Sequence, residues 1–196
     1  MANARRIILA SASPRRKELL GKAGYPVFDI LPSPAEELAQ TEENVYRLAL
    51  TNAVRKAEAV ADLHPDALVI GADTLIEFEN EAIGKPVDRD DAVRTLLRLS
   101  GKTHSVTTGV CICCRAAKVM IRFAESSFVE FLPFDRTVAE QYTAQVPVLD
   151  KAGSYAIQDH GDMLIREIRG DYDNIVGLPA RRVREALQSI RKEMEE

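Results

Sequence analysis

Two adjacent segments rich in β-forming residues constrain the fold of this chain more than any other feature. Residues 103–115 and 119–131 are dense in Val, Ile, Thr and Phe and are separated by a short polar turn, a pattern that predicts an antiparallel hairpin. Elsewhere, helical segments alternate with short apolar strands. A hairpin excludes a purely parallel sheet. We therefore expect an α/β fold in which a mixed β-sheet is flanked by helices, with two lobes and a cleft between them.

The remaining elements follow from apolar periodicity and capping residues. Strands are predicted at residues 7–10, 27–31, 67–78 and 82–84, and at 154–168 with an insertion. Helices are predicted at residues 14–24, 41–62, 88–100, 135–145 and 178–194. Thr41 is expected to cap the second helix, with Glu42 and Glu43 in its first turn, where the helix dipole favours acidic residues.

Length, charge and cysteine content narrow the class of protein. The 196 residues suit a single domain spanning 1–196, and the net charge of −4 argues against a nucleic-acid partner, which would need a basic face. The longest apolar runs are too short for a membrane span and the N-terminus lacks a signal-peptide core, so we expect a cytoplasmic protein. Cys111, Cys113 and Cys114 lie too close together to pair and lack zinc-site spacing, which predicts reduced core residues.

The segment SASPRRKELL, residues 11–20, opens a helix with two cations. Ser13 is a preferred N-cap and Pro14 suits the first helical position. Arg15 and Arg16 then add positive charge where the helix dipole is already positive, which is unfavourable unless an anion such as phosphate binds there. The alternative is that both arginines are ordinary solvated charges. The GxxxxGK[ST] pattern is absent, so this is not a P-loop.

Two charged residues fall on faces that are otherwise apolar. Lys56 lies near the middle of the apolar stripe of the second predicted helix, so it should face the fold. Alternatively, its stem packs on the core and its amine reaches water. Asp73 interrupts the apolar segment LVIGADTLIEF, where a carboxylate needs a partner, a metal or an active-site opening, unless it only ends the strand and caps a turn. Gly71 beside it permits a close backbone approach.

Further candidates lie in predicted loops. Lys85 in IGKP is held toward an extended conformation by Pro86. Glu36 and Glu37 offer the oxygen ligands that magnesium or manganese uses with phosphates, although alone they would be solvated loop charges. His104 has no nucleophile spaced around it, which favours a structural role. Together, the cations and carboxylates indicate binding of a nucleoside triphosphate with a divalent ion and activation of water at a phosphorus atom.

Eight motifs follow one another along the chain: LASASPRRKELL, the pair Glu36-Glu37, RLALTNAVRKA, VIGADT, IGKP, LSGKTHSVTTGV, LDKAGSYAIQ and NIVGLP. In this order they resemble the Maf family of nucleoside triphosphate pyrophosphatases, and the resemblance covers nearly the whole chain. It implies a Maf/ITPase-like fold and hydrolysis between the α- and β-phosphorus, giving a nucleoside monophosphate and pyrophosphate. It also implies Mg²⁺ or Mn²⁺ as cofactor and a homodimer.

The resemblance further implies roles for individual residues. Asp73 resembles the proton acceptor for the attacking water, and Lys56 and Lys85 resemble phosphate anchors, so these three are the expected catalytic residues. Glu37 resembles a metal ligand together with Asp73, and Glu36 is the alternative because the alignment is ambiguous by one residue. The expected substrate-binding residues are Ser11, Arg15, Arg16, Thr74 and Gln158.

Substrate preference is expected from three places in the chain. SPRR without an added residue, Thr74 after the expected catalytic aspartate, and Gln158 in the IQ motif resemble the subgroup that acts on dTTP and UTP. An amide at Gln158 can donate to a pyrimidine carbonyl and accept from N3–H, whereas a carboxylate only accepts. The alternatives are the sister subgroup acting on 7-methyl-GTP and a septum-formation regulator that acts by binding a partner. The family's IQG reads IQD here, with Asp159, and DYD precedes NIVGLP, so local loop geometry stays open at both places.

Overall fold

A seven-stranded mixed sheet organises the computed structural model, which describes residues 5–38 and 44–193. The strands are β1 (Ile7–Leu9), β2 (Asp29–Ile30), β3 (Leu68–Phe78), β4 (Glu81–Ile83), β5 (Thr103–Cys114), β6 (Val119–Phe131) and β7 (Ile165–Arg169). The helices are α1 (Pro14–Lys22), α2 (Val45–Ala61), α3 (Arg89–Leu99), α4 (Arg136–Gln145), α5 (Tyr172–Val176) and α6 (Ala180–Glu193). Two short 3₁₀ turns cover Ala152–Ser154 and Gly161–Met163.

The sheet combines parallel and antiparallel pairs, as the sequence predicted. Its strand order is β2-β1-β3-β5-β6-β7, with β4 paired to β3. β1 runs parallel to both β2 and β3, because α1 and α2 provide the crossovers that parallel strands require. β5 and β6 form the predicted antiparallel hairpin, from Thr103 opposite Glu130 to Cys114 opposite Val119. The mixed α/β class is confirmed.

Alternate residues of β3 face different helices. Leu68 and Ile70 pack with α1 and α6, whereas Val69 between them packs with α2 on the opposite face. Further along the first face, Ile76 and Phe78 pack with α3 and α4. The two cores on this face form the predicted lobes, and the pocket described below opens between them.

Two glycines allow α2 to lie unusually close to the sheet. A Cβ atom built on Gly71 would lie 2.4 Å from the backbone oxygen of Ala53. One built on Gly109, which is opposite Asp73 in the register of β3 and β5, would lie 2.4 Å from the backbone oxygen of Ala49. Real side-chain carbons do not approach backbone atoms this closely. The close backbone approach predicted at Gly71 is therefore confirmed.

The region predicted as a strand at 154–168 is mostly not extended. Only Ile165–Arg169 forms a strand there, because Gly153, Ser154 and His160 adopt left-handed backbone conformations that break a strand. The second predicted strand, 27–31, is likewise reduced to Asp29–Ile30. The five-residue helix α5 was not predicted.

The second helix begins later than predicted. Within the described residues it starts at Val45, and Asn44 is its N-cap, whose side chain accepts a hydrogen bond from the backbone N–H of Arg47. The predicted cap Thr41 and the acidic pair Glu42 and Glu43 lie outside the described residues, as does Met194 at the end of the predicted last helix.

The cysteine prediction is confirmed, since Cys111, Cys113 and Cys114 are buried and unpaired by disulfides. Across residues 5–38 and 44–193, no helix has both the length and the apolar character needed to span a membrane. The assignment of residues 1–196 to one domain stays a prediction.

Candidate active site

A pocket of about 370 Å³ opens where the N-terminus of α1, the middle of β3 and two later loops converge. That volume is in the usual range for small-molecule sites. One wall, the cationic wall, carries charged residues from the first half of the chain: Arg15, Arg16, Glu37, Asp73 and Lys85. The other wall, the late wall, comes from residues 150–158 and 175–177.

The N-terminus of α1 is built as the sequence predicted. Ser13 is the N-cap and its hydroxyl accepts from the backbone N–H of Arg16 at 3.4 Å, with Pro14 at the first helical position. Arg15 lines the pocket. Within residues 5–38 and 44–193 it makes no ion pair. Because Pro14 has no N–H and the N–H groups of Arg16 and Lys17 bond to Ser13, this end of the helix offers an anion the backbone N–H and the guanidinium of Arg15.

Arg16 is held from three sides. Its Nε donates to Gly177 O at 2.9 Å, its Nη1 to Ser11 Oγ at 3.3 Å and its Nη2 to Thr74 Oγ1 at 3.1 Å. Burial lowers the pKa of Arg16, while Asp73 raises it, and the guanidinium keeps its charge. The alternative of a solvated surface arginine is therefore wrong for Arg16. Ser11 and Thr74, both expected to bind substrate, hold the Arg16 side chain.

A polar chain continues behind Thr74 into the protein. The hydroxyls of Thr74 and Thr108 are 2.9 Å apart, and Thr108 Oγ1 donates to Asn174 O at 2.9 Å. Because Thr108 uses its only proton on Asn174, Thr74 must donate to Thr108. The side chain of Asn174 in turn donates to Val106 O at 3.0 Å. The position of Arg16 is thereby coupled to β3, β5 and α5.

Lys56 joins two carboxylates that line the pocket, but it is not itself among the lining residues. Its Nζ lies 2.6 Å from Glu37 Oε1 and 2.6 Å from Asp73 Oδ1, and the residue is 8% exposed. The ammonium thus faces carboxylates inside the fold, and the alternative in which it reaches water is wrong. Asp73 lies in the middle of β3 and is 4% exposed, so the alternative that it ends a strand is also wrong. Glu37 lines the pocket, and Glu36 is not among the lining residues.

Asn52 completes the surroundings of Asp73 and was not predicted. Its Nδ2 donates to Asp73 Oδ2 at 2.9 Å. A signal was available in the sequence, because Asn52 and Lys56 are four residues apart on the predicted apolar stripe and therefore lie on one helix face. Both oxygens of the Asp73 carboxylate accept hydrogen bonds from α2, which fixes the carboxylate plane.

The cations around Glu37 keep it ionised. Its partial burial opposes ionisation, but the hydrogen bond and charge of Lys56, with Lys85 and Arg16 nearby, outweigh burial and lower the pKa of Glu37. Glu37 therefore presents a negative charge to the pocket.

Two converging carboxylates are a partial donor set for a divalent ion. Glu37 and Asp73 both reach the Lys56 ammonium, so a single cation can contact both side chains. Residues 5–38 and 44–193 contain no group of three or more His, Cys, Asp or Glu side chains placed for a metal. This donor set fits Mg²⁺ or Mn²⁺, because such ions are held by one or two carboxylates together with substrate phosphates.

Lys85 follows β4, and Gln158 belongs to the late wall. Both line the pocket and both are exposed, so each side chain is accessible to a ligand. The apolar and aromatic side chains that line the pocket include Val106, Tyr155 and Ile175. The pocket therefore combines charged groups, which occur in both walls, with apolar surface and one amide.

His104 lies in the core formed with α3 and α4, outside the residues that line the pocket. It is 2% exposed, contacts the ring of Phe131 edge-on and pairs through Nε2 with the hydroxyl of Tyr155 at 2.8 Å. Burial lowers its pKa to about 4. These contacts support the structural role predicted for it.

The fold and the pocket define an α/β protein whose site combines charged side chains with apolar surface. A family model described as Maf-like protein matches residues 6–190, and the chain belongs to the Maf family. The protein of Akkermansia muciniphila named dTTP/UTP pyrophosphatase is 46% identical over 184 residues, covering 94% of this chain and 96% of the relative. A Bacillus cereus protein of the same name is 44% identical over 185 residues, covering 94% and 95%.

A solved structure has the same fold at low sequence identity. The Staphylococcus aureus Ham1 protein superposes with a TM-score of 0.52 and 17% identity, over 98% of this chain and 100% of that one. The chain therefore shares its α/β fold with a protein outside the Maf family, as the expected Maf/ITPase-like fold implied.

Proposed function

We propose that this chain hydrolyses dTTP and UTP to the nucleoside monophosphate and pyrophosphate. The observation that carries the proposal is the buried Asp73 carboxylate, held by Lys56 and facing a pocket that Arg15 and Lys85 also line. Relatives that are 44% and 46% identical along nearly the whole chain carry the name dTTP/UTP pyrophosphatase, which supports the same substrates here.

In the proposed complex, the triphosphate lies along the cationic wall. The backbone N–H and the guanidinium of Arg15, at the start of α1, bind phosphate oxygens. Lys85 binds from the loop that follows β4, and Arg16 adds its charge from the position where Thr74 and Gly177 hold it. Fixed cations at this end stabilise the negative charge that develops as the phosphoanhydride bond breaks.

Asp73 is the proposed proton acceptor. A water oxygen attacks the α-phosphorus, the bond from that phosphorus to the bridging oxygen breaks, and pyrophosphate leaves with the electron pair. The water proton goes to Asp73. Hydrogen bonds from Lys56 and Asn52 orient the carboxylate before substrate binds, which reduces the reorganisation needed in the reaction.

We also propose Mg²⁺ or Mn²⁺ as cofactor, with Glu37 and Asp73 as its protein ligands. When bound, such an ion supplies Lewis-acid stabilisation of phosphate oxygens. Lys56 contacts both carboxylates, so it keeps them close together when the ion is absent.

Gln158 is the proposed base-reading residue, since its amide can pair with a carbonyl and an N3–H of the same pyrimidine. The apolar part of the pocket beside it suits the faces of the ring.

We further propose a cytoplasmic homodimer. Family resemblance supports the dimer, which light scattering would test, and three reduced cysteines suit a reducing compartment.

Pyrophosphate release from a panel of nucleotides tests the function. Wild-type protein with Mg²⁺ should turn over UTP and dTTP faster than 7-methyl-GTP. Asp73→Asn should lower kcat by at least ~100-fold, the usual contribution of a general base. Asp66→Asn, a matched change at an exposed residue before β3, should retain activity.

The alternatives predict different results on the same panel. Faster turnover of 7-methyl-GTP would assign the chain to the sister substrate class, and binding of nucleotide without release of pyrophosphate would favour a regulatory binding protein. Lys56 and Asn52 both donate hydrogen bonds to Asp73. In Asp73→Asn, the new NH2 group would face one of these donors, which would destabilise the protein. The melting temperature of the variant is therefore measured beside its activity.

A further inference from the structure

The side chain of Asn52 is buried, and both its amide oxygen and its amide nitrogen form hydrogen bonds inside the protein. It is 1% exposed. Its Oδ1 accepts from the backbone N–H of Leu38 at 2.9 Å, and its Nδ2 donates to Leu38 O at 3.1 Å and to Asp73 Oδ2 at 2.9 Å. The partners also fix which way the amide points, because a carboxylate and a carbonyl can only accept.

The segment that carries Glu37 depends on these contacts. Residues 33–38 contain neither helix nor strand. Among the described residues, the hydrogen bonds that join this segment to other parts of the protein run to Asn52, at Leu38, and to Lys56, at Glu37. Two side chains one helical turn apart on α2 thus hold both the segment and the two oxygens of Asp73.

Asn52 does not line the pocket, so any effect on chemistry must pass through its partners. We infer that Asn52 is a positioning residue, which sets the plane of the Asp73 carboxylate and seats the Glu37 segment beside it. The inference rests on the proposed hydrolysis of pyrimidine triphosphates. A side chain that only filled space in the core would not need these hydrogen bonds. The Asn52 amide instead makes three of them, two with Leu38 and one with Asp73, and so links the Glu37 segment to β3.

The experiment uses the full chain and compares Asn52→Ala and Asn52→Asp with Asn44→Ala. Asn44 is the matched control because it is the same residue type on the same helix and also accepts one backbone N–H bond, from Arg47 at 3.0 Å, but contacts neither Asp73 nor Leu38. Each protein is measured for kcat and KM with UTP at saturating Mg²⁺, and for melting temperature. Exchange of the Leu38 backbone amide is followed by NMR without nucleotide or metal.

Both Asn52 variants should lose roughly 10- to 100-fold in kcat, the scale seen when a residue that orients a ligand or catalytic group is removed. KM for UTP should change by less than about threefold, because the residues that touch the triphosphate are unaltered. Asn52→Ala should also speed exchange of the Leu38 amide. Asn44→Ala should lower the melting temperature while kcat and Leu38 exchange stay at wild-type values.

The inference is overturned if folded Asn52→Ala or Asn52→Asp retains kcat within about threefold of wild type, or if their kcat loss is matched by Asn44→Ala. It is also overturned, without any variant, if the Leu38 amide of the wild-type protein exchanges at the rate of an unprotected amide. Failure of the proposed function is a separate result: wild-type protein would then release no pyrophosphate from UTP, and the Leu38 measurement would still test the seating of the segment.

Discussion

Gly71→Ala should both destabilise the protein and impair its site, although it adds a single methyl group. The new Cβ would lie 2.4 Å from Ala53 O, 2.6 Å from Ala57 N and 2.9 Å from Ala57 Cβ. Ordinary contacts begin at 3.4 Å, so the nearest approach is about 1 Å too short. Two of the three obstacles are backbone atoms of α2, which cannot rotate away as a flexible side chain would.

Two effects of opposite sign decide the magnitude. Replacing glycine where there is room stabilises a protein by roughly 0.4–1 kcal/mol, because the unfolded chain loses freedom. Inserting a carbon into a filled core costs ~1–3 kcal/mol or more. With backbone as the obstacle, we expect a net loss near the upper end, about 3 kcal/mol, which lowers the melting temperature by roughly 6–12 °C for a chain of this size.

Calorimetry of wild type, Gly71→Ala and Gly21→Ala measures this effect. Gly21 is the control because it lies in α1 and a Cβ there meets nothing within 4 Å. Gly21→Ala should stabilise by ~0.5–1 kcal/mol, the usual gain in a helix. Since α2 carries Lys56 and Asn52, its displacement in Gly71→Ala should also lower kcat for UTP. A Gly71→Ala protein that melts at or above the wild-type temperature would refute the argument.

Three further outcomes are expected. Lys85→Ala should weaken binding of UTP far more than binding of uridine in calorimetry, and equal affinity of variant and wild type for UTP would remove Lys85 from the phosphate site. Gln158→Glu should lower kcat/KM for UTP and dTTP by roughly tenfold or more, because a mismatched buried contact costs ~1–3 kcal/mol, without a comparable loss for a non-pyrimidine substrate; unchanged pyrimidine turnover would contradict the proposed pairing. Burial lowers the pKa of His104 from 6.5 to about 4, so the unfolded chain binds a proton that the folded chain does not, and stability is lost as the pH falls through that window. When the pH is lowered from about 7 to about 4, the melting temperature of His104→Gln should therefore fall less than that of wild type. An equal fall in both proteins would show that His104 does not contribute to the pH dependence of stability.

Local patterns predicted the elements and the identity of the charged residues well. The hairpin β5–β6 and the cap of α1 followed from composition and spacing, because the physics that forms them acts within a few residues. Lys56 and Asp73 could be predicted to face the interior from periodicity alone. Their direct contact, across 17 residues of chain, depends on how α2 packs on β3.

The features that were missed depend on tertiary structure. Ser154 and His160 break the predicted strand through left-handed backbone conformations that non-glycine residues adopt only where the surroundings require it. Arg16 is held by Thr74 and Gly177, which are 58 and 161 residues away in sequence. The part played by Asn52 was missed because asparagine within a helix reads as a weak helix former, without indicating what it faces.

The two walls of the pocket are also separate in the sequence. The cationic wall comes from residues up to Lys85, while the late wall begins at Asp150. Under the proposed function, the groups that act on phosphates and Gln158, which reads the base, come from different parts of the sequence, although Gly177 in the late wall also holds Arg16. Substitutions between 155 and 158 would then redirect the enzyme to another nucleobase while the residues that hold Arg16 and Asp73 stay unchanged, so one scaffold could diverge into enzymes that remove different nucleotides from the cellular pool.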